Sequence, residues 1–170
     1  QQVAALGAGE PVEMDVGRVN DRLFHSLSGV GFFSLMARER EHARRRFPFS
    51  RAAAFSLAAV RSILFTRSIS VDIRIGQEHL VVDADAVLVT VNRFDGPEWR
   101  RGRLDGGVFE VHVLNAGGLY SRSKAALSVV SGRWRSSGHL TSFFGDEVVL
   151  QRRDKRRGHV TFDGEVERKA

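Results

Sequence analysis

Apolar side chains recur along this chain with two periods, broken by glycine and proline. Val12-Glu-Met-Asp-Val16 alternates apolar with polar, the two-residue period of a half-buried strand. Gly17-Arg-Val-Asn-Asp21 reads as a turn and Arg22-Leu-Phe-His-Ser-Leu27 as a second strand, so a hairpin is expected. Gly29-Val-Gly31 then breaks the pattern. Phe33 to Arg44 holds helix formers without glycine or proline, and Pro48 stops that helix. Ser50 is a suitable N-cap for a second helix reaching about Phe65, with Phe55, Ala59 and Ile63 on one face.

The remainder reads mostly as strand. Ile69-Ser-Val-Asp-Ile-Arg-Ile75 alternates strictly, and Leu80–Val82 is placed to pair with it. Ala86-Val-Leu-Val-Thr-Val-Asn92 is continuously apolar up to its end, as in a strand buried on both faces. Phe94 to Gly107 reads as a long loop, and Val108-Phe-Glu-Val-His-Val113 alternates again. A short helix is expected over Ser121–Val130, ended by Gly132. Leu140–Phe144 and Glu147–Gln151 read as paired strands around Gly145-Asp146. His159–Phe162 is the expected last strand, followed by the hairpin dipeptide Asp163-Gly164. The fold class is therefore mainly β with a few helices, a β-sandwich or barrel-like core with helices on its edge.

Composition narrows this picture. At 170 residues the chain suits one domain with a real core. It has no cysteine, which removes disulfides, thiolate metal sites and thiol nucleophiles. It has no apolar run near the roughly 20 residues that span a bilayer. The lack of cysteine fits a reducing compartment, so a cytoplasmic location is the expectation. The first residue is glutamine, and Gln1–Gly9 reads as the tail of a helix, as if an N-terminal part preceded it. The net charge of +6 comes from arginine, dense in Arg38–Arg51, Arg100–Arg103 and Arg152–Arg157. Such a surface suits an anionic membrane, nucleic acid or phosphate-bearing molecules, or is simply solvated.

Several chemistries lack their residues. The six histidines show no metal-ligand spacing. No Gly-x-Ser-x-Gly elbow, Walker loop or dinucleotide fingerprint is present. Phe32, Phe33, Phe47 and Phe49 interleave with Arg38, Arg40 and Arg44–Arg46, and Trp99 adjoins Arg100 and Arg101. Phe32 and Phe33 read first as core, while Phe47 and Phe49 suit a membrane interface equally well. Asp163 and Glu165 flank a glycine in Val160-Thr-Phe-Asp-Gly-Glu165. In an extended segment both would project to one side and could share a site, one as base and the other orienting it. Taken alone, the same residues are a hairpin turn with two solvated acids.

Several segments, in order, resemble the C-terminal domain of the diacylglycerol-kinase-like lipid kinases, which include the sphingosine and ceramide kinases. They are Met14-Asp-Val-Gly-Arg-Val-Asn-Asp-Arg-Leu-Phe24, Ser28-Gly-Val-Gly-Phe32, the helix from Ala52 to Ile63, Val89-Thr-Val-Asn92 with Phe94-Asp-Gly96, Arg103-Leu-Asp-Gly-Gly-Val-Phe-Glu-Val111 and the closing Asp163-Gly-Glu165. The resemblance implies one β-sandwich domain over residues 1–170 that packs on an N-terminal nucleotide-binding domain. That domain would hold most of the ATP and Mg2+. The partners implied are a lipid with a free hydroxyl and an anionic membrane surface, with no nucleic acid. Asp163 would be the general base, assisted by Glu165, with Asn92 on the cofactor-binding side. Gly106 stands where the family's second aspartate ligates a structural magnesium, so that metal is not expected. His25 stands where the family often has asparagine. The different-class alternative is a non-catalytic basic domain for anionic membrane or nucleic acid.

Overall fold

The computed structural model describes residues 12–46, 50–95, 100–115, 117–130, 138–153 and 158–169. The expected helix tail at Gln1–Gly9, the patch of Phe47 and Phe49, Trp99 and the helix-ending Gly132 lie outside the described residues, as do the side chains of Arg44–Arg46 and Phe55.

The elements follow in the order β1 (Gly17–Val19), β2 (Arg22–Phe24), β3 (Leu27–Gly31), α1 (Phe32–Arg46), α2 (Arg51–Phe65), β4 (Ile69–Ile75), β5 (Glu78–Ala84), β6 (Ala86–Val91), β7 (Phe94–Asp95), β8 (Arg100–Arg101), β9 (Phe109–Leu114), α3 (Leu119–Val130), β10 (Leu140–Gly145), β11 (Val148–Arg152), β12 (Gly158–Phe162) and β13 (Glu165–Lys169). A six-stranded antiparallel sheet runs β10-β9-β6-β3-β12-β13, and a three-stranded sheet runs β11-β4-β5. Val30, Val87, Val111 and Val113 of the large sheet meet Ile69, Val71, Ile73 and Ile75 of the small one in the main core. This is the expected β-sandwich, with alternate residues of each strand pointing inward.

The outer face of the large sheet carries α1. Phe32, Ala86 and Leu114 form its buried contact, flanked by Phe33 and Met36. Phe32 and Phe33 are therefore core residues. α1 packs on α2 through small side chains, with Ala43, Ala58 and Ser62 all buried. The buried line of α2 is thus Ala58 and Ser62, one residue off the expected Ala59 and Ile63, which are half-buried. Glu39 of α1 is buried and accepts a 2.6 Å hydrogen bond from the Arg61 guanidinium of α2. Burial alone would raise the Glu39 pKa, but Arg61 and Arg38 outweigh it and hold the carboxyl below its ordinary value.

Several expectations from the sequence pattern need correction, among them the long loop from Phe94 to Gly107, which holds the paired β7 and β8. Residues 12–16 are not a strand. The first hairpin is β1–β2, turning at Asn20-Asp21 with Val19 opposite Arg22. Gly17 lies inside β1 because a side chain there would strike the Phe24 ring. Gly29-Val-Gly31 does not interrupt the fold either; it belongs to β3, an inner strand between β6 and β12. β10 and β11 do not pair with each other: β10 pairs with β9 and β11 with β4, so Gly145-Asp146 carries the chain between sheets. A Cβ on Gly145 would stand 2.6 Å from Ile75 Cγ2, which explains the glycine at this corner. Finally, β13 follows the strand expected to be last, and β9 is buried on both faces, with Glu110 and His112 at 0% and 1% exposure. Alternation reports which face a side chain takes, not whether that face is wet.

Gly31 joins β3 to α1 with φ +73°, and a Cβ there would collide with the Asp85 carbonyl oxygen. That oxygen accepts the Phe32 N–H at 2.9 Å, so the close approach is part of the β3–α1 joint. Gly31→Ala is expected to destabilise the fold by at least about 2 kcal/mol, read as a lowered midpoint in urea. Gly76→Ala is the comparison: it shares the positive φ but has open space around it.

Candidate functional site

In the large sheet, β3 starts where its neighbours β6 and β12 end, because both pair with it antiparallel. One edge of the sheet therefore gathers Asn92 after β6, His25-Ser26 before β3 and Asp163-Gly164 after β12. Segments far apart in sequence meet there.

Asp163 and Gly164 form the two-residue loop of the β12–β13 hairpin, with Phe162 opposite Glu165. Their φ angles are +49° and +89°, both in the left-handed region that such a tight turn requires. This conformation turns the Asp163 carboxylate back onto the start of β3. Oδ1 accepts the N–H groups of Ser26 at 2.7 Å and Leu27 at 3.1 Å, and Oδ2 accepts that of His25 at 2.8 Å. His25 Nδ1 stands 3.3 Å from Oδ2. The Asp163 backbone N–H in turn donates to the Leu27 carbonyl. Burial on its own would raise the Asp163 pKa, but the three N–H donors and the imidazole outweigh it, so the carboxyl lies below its ordinary value.

Glu165 takes another direction. Its side chain is 79% exposed and pairs with Arg22 at 3.0 Å, and Arg22 also pairs with Glu167. The two acids therefore do not project side by side from an extended segment, since positive φ at both turn residues redirects the chain between them. They occupy the same corner with different partners.

Asn92 is 1% exposed with φ +63°. Its Nδ2 donates to the Leu104 carbonyl at 2.7 Å, and its backbone N–H to Val108 at 2.8 Å. Asn92 thus clamps the loop after β8 from inside, and the structure does not present its side chain at the surface. Asp15 clamps the same loop from outside, accepting the Gly107 N–H at 2.6 Å. A Cβ on Gly106 would stand 2.6 Å from Asn92 Oδ1, so an aspartate there would displace the clamp. Asp105 points outward to Arg103 at 3.2 Å.

Three arginines surround the Asp163 turn. Arg40 of α1 donates to the Gly164 carbonyl at 3.3 Å. Arg22 lies over the Phe162 ring. Arg101 of β8 donates to the His25 carbonyl at 2.9 Å and to Ser26 Oγ, with its guanidinium over the Phe94 ring. Arg101 so fixes the very segment whose N–H groups hold Asp163. Sequence reading missed these roles, because nothing in an arginine run distinguishes a clamp from a solvated charge.

Between α1 and the outer sheet face runs a groove of about 390 Å³. Phe33, Met36, Ala37, Leu27 and Leu88 make its apolar wall, and Ser26, Arg40, Asp163 and Gly164 line it as well. A cavity of this size with apolar walls and a few polar groups is the usual build of a small-ligand site. A larger cavity of about 570 Å³ lies between the two sheets, lined by core residues such as Val87, Val89 and Leu150. It includes Arg18 and Arg152 but not Asp163, and the smaller groove is the one that reaches the Asp163 carboxylate.

No family model matches the sequence. Three solved structures from Bacillus anthracis str. Sterne match in fold. All three carry the name diacylglycerol kinase, two of them as a provisional assignment. The first superposes with a TM-score of 0.62 at 16% identity, covering 89% of this chain and 49% of that one. The others give 0.59 at 13% identity and 0.54 at 10% identity, covering 92% and 91% of this chain and 51% and 47% of theirs. This chain has the diacylglycerol-kinase-like fold. It spans about half the length of the structures it matches.

Within this fold the described residues provide no group of three or more His, Cys, Asp or Glu side chains able to hold a metal ion. With Gly106 packed against Asn92 Oδ1, the segment Asp105-Gly106-Gly107 does not fit a magnesium ion as the paired aspartates of the family would. No helix among the described residues is long and apolar enough to cross a membrane.

Asp163 stability has a defined pH dependence. A carboxyl whose folded pKa is depressed stabilises the fold above its unfolded pKa of about 3.9 and loses that contribution as pH falls through the folded value. Asp163→Ala should cost about 1–3 kcal/mol at pH 7, the scale of an abandoned set of N–H donors. The gap between Asp163→Ala and the unaltered protein should narrow progressively below about pH 4. Urea unfolding of both proteins at pH 7 and at pH 3 measures it.

Proposed function

We propose that this chain is the substrate-side half of an ATP-dependent lipid kinase, transferring the γ-phosphoryl group to a lipid hydroxyl such as that of diacylglycerol. The observation that carries this reading is the groove whose apolar wall ends at an ionised carboxylate. The names of the structural neighbours agree with it.

An acyl chain lying along Phe33, Met36 and Leu88 brings a lipid's polar end to Asp163. The carboxylate accepts the hydroxyl proton while the hydroxyl oxygen bonds to the γ-phosphorus and the bond to the departing ADP oxygen breaks. Phosphoryl transfer has a loose transition state, so positioning and charge neutralisation carry most of the catalysis. A carboxylate kept in its anionic form by three N–H donors is always ready for a proton released late, although the same bonds make it a weak base. Rigid placement by β3 compensates in geometry for what is lost in basicity. Glu165 assists by holding Arg22 beside the turn. ATP and Mg2+ belong with a nucleotide-binding domain N-terminal to this chain, and no step on this chain is assigned to a metal.

The full-length gene product is the proper test. Asp163→Asn, confirmed folded by near-ultraviolet circular dichroism, should lose about 10²–10⁴-fold in lipid phosphorylation. Turnover equal to the unaltered enzyme in that folded variant would remove Asp163 from the mechanism.

A further inference from the structure

Asp163, Ser26 and Leu27 line the groove under α1, and His25 does not. The His25 side chain is 64% exposed, against 31% for Asp163. Its Nδ1 nevertheless stands 3.3 Å from Asp163 Oδ2. The carboxylate therefore has the groove on one side and a solvent-exposed imidazole as its neighbour. The backbone N–H of His25 already donates to the same Oδ2 at 2.8 Å, so the main chain orients that oxygen without help from the ring. The ring adds an ionisable contact to an acid that is already held.

A proton left on Asp163 is badly placed, because three N–H donors point at its oxygens and favour the anion. Carboxylic acids ordinarily ionise near pH 4 and imidazoles near pH 6.5, so an imidazole holds a proton more than about a hundredfold more firmly. An exposed ring exchanges its two tautomers through water. Nδ1 then serves in turn as a donor that steadies the carboxylate and as an acceptor that can take its proton. Asp163 of the last hairpin is the acid that faces the ring. Arg101 of β8 meets this residue at its carbonyl, and Arg22 of β2 is paired with Glu165 and Glu167.

We propose that His25 is a proton-relay residue, which takes the substrate proton from Asp163 and passes it to solvent. As the hydroxyl oxygen bonds to phosphorus, its O–H bond breaks and the proton moves to the carboxylate. The new Oδ2–H bond then breaks as Nδ1–H forms, which leaves an imidazolium beside a restored anion. The exposed ring turns outward and gives the proton to water, which returns Nδ1 to its acceptor state. The relay makes up for the weak basicity of a carboxylate held by three donors. This inference rests on the kinase reading of the same groove.

The test uses the full-length protein with MgATP and 1,2-diacylglycerol in mixed micelles, as native enzyme, His25→Asn and His25→Ala. Each variant keeps the three backbone N–H donors to Asp163, and its fold is checked by near-ultraviolet circular dichroism. Only a neutral imidazole can accept a proton, so native kcat should fall as pH drops from about 7.5 to about 5.5. His25→Asn can still hydrogen-bond the carboxylate but cannot take up a proton. It should lose about 10²-fold in kcat at pH 7.5 with KM little changed, and the fall between pH 7.5 and 5.5 should vanish. His25→Ala should be as slow and should recover several-fold when free imidazole is added, whereas Asp163→Asn should not recover. Native kcat in His25→Asn, the same acid limb in that variant, or no recovery of His25→Ala with imidazole overturns the relay and leaves the kinase reading standing. Loss of the fold in both His25 variants overturns it too, because the ring is then structural. A native protein that phosphorylates no lipid overturns the kinase reading itself, and the relay with it.

Discussion

The bond between the Asp163 carboxylate and the N–H groups of His25, Ser26 and Leu27 organises this molecule. It ties the last hairpin of the chain to the start of an inner strand placed more than a hundred residues earlier. It also decides what the acid can do. Donors on both oxygens keep it ionised and oriented, and the strand that supplies them is locked between β6 and β12. Arg101 secures the same segment from the other side through the His25 carbonyl and Ser26 Oγ. The cradle is therefore fixed by two independent sets of contacts, one anionic and one cationic.

The two faces of the six-stranded sheet serve different ends. The inner face meets the small sheet through valine and isoleucine and makes the core. The outer face meets α1 only in part, and the remaining space is the groove that reaches Asp163. A helix that covered the sheet fully would gain apolar burial and close the groove. Gly31 sets where that helix begins, since its positive φ and the contact with the Asp85 carbonyl turn the chain directly from β3 into α1. The groove's geometry therefore depends on a glycine that sequence alone presents as a mere interruption.

The sequence made much of the fold legible where one physical signal dominated. Strict alternation marked Ile69–Ile75, continuous apolarity marked the doubly buried β6, and Asp163-Gly164 marked its hairpin. The helices α1 and α2 also stand where uninterrupted helix formers placed them. Misreadings arose where glycine had a tertiary reason. Gly17 makes room for Phe24, Gly31 for a carbonyl, and Gly145 for Ile75, yet each looks like a turn in one dimension. The pairing of β10 with β11 failed for a related reason: a short glycine-containing link suits a hairpin and a sheet-to-sheet corner equally.

The candidate site divides in the same way. Composition and order alone determined that the chain is mainly β, that thiol chemistry is absent, and that Asp163 and Glu165 close a turn. Only the tertiary structure decided that these acids have separate partners, that Asn92 is an internal clamp, and that Arg101 holds the segment that cradles Asp163. The physical reason is distance along the chain. Periodicity and turn propensity are local properties, written in neighbouring residues. A carboxylate's charge state and a clamp's partner depend on atoms brought together from remote segments, and no local pattern records them.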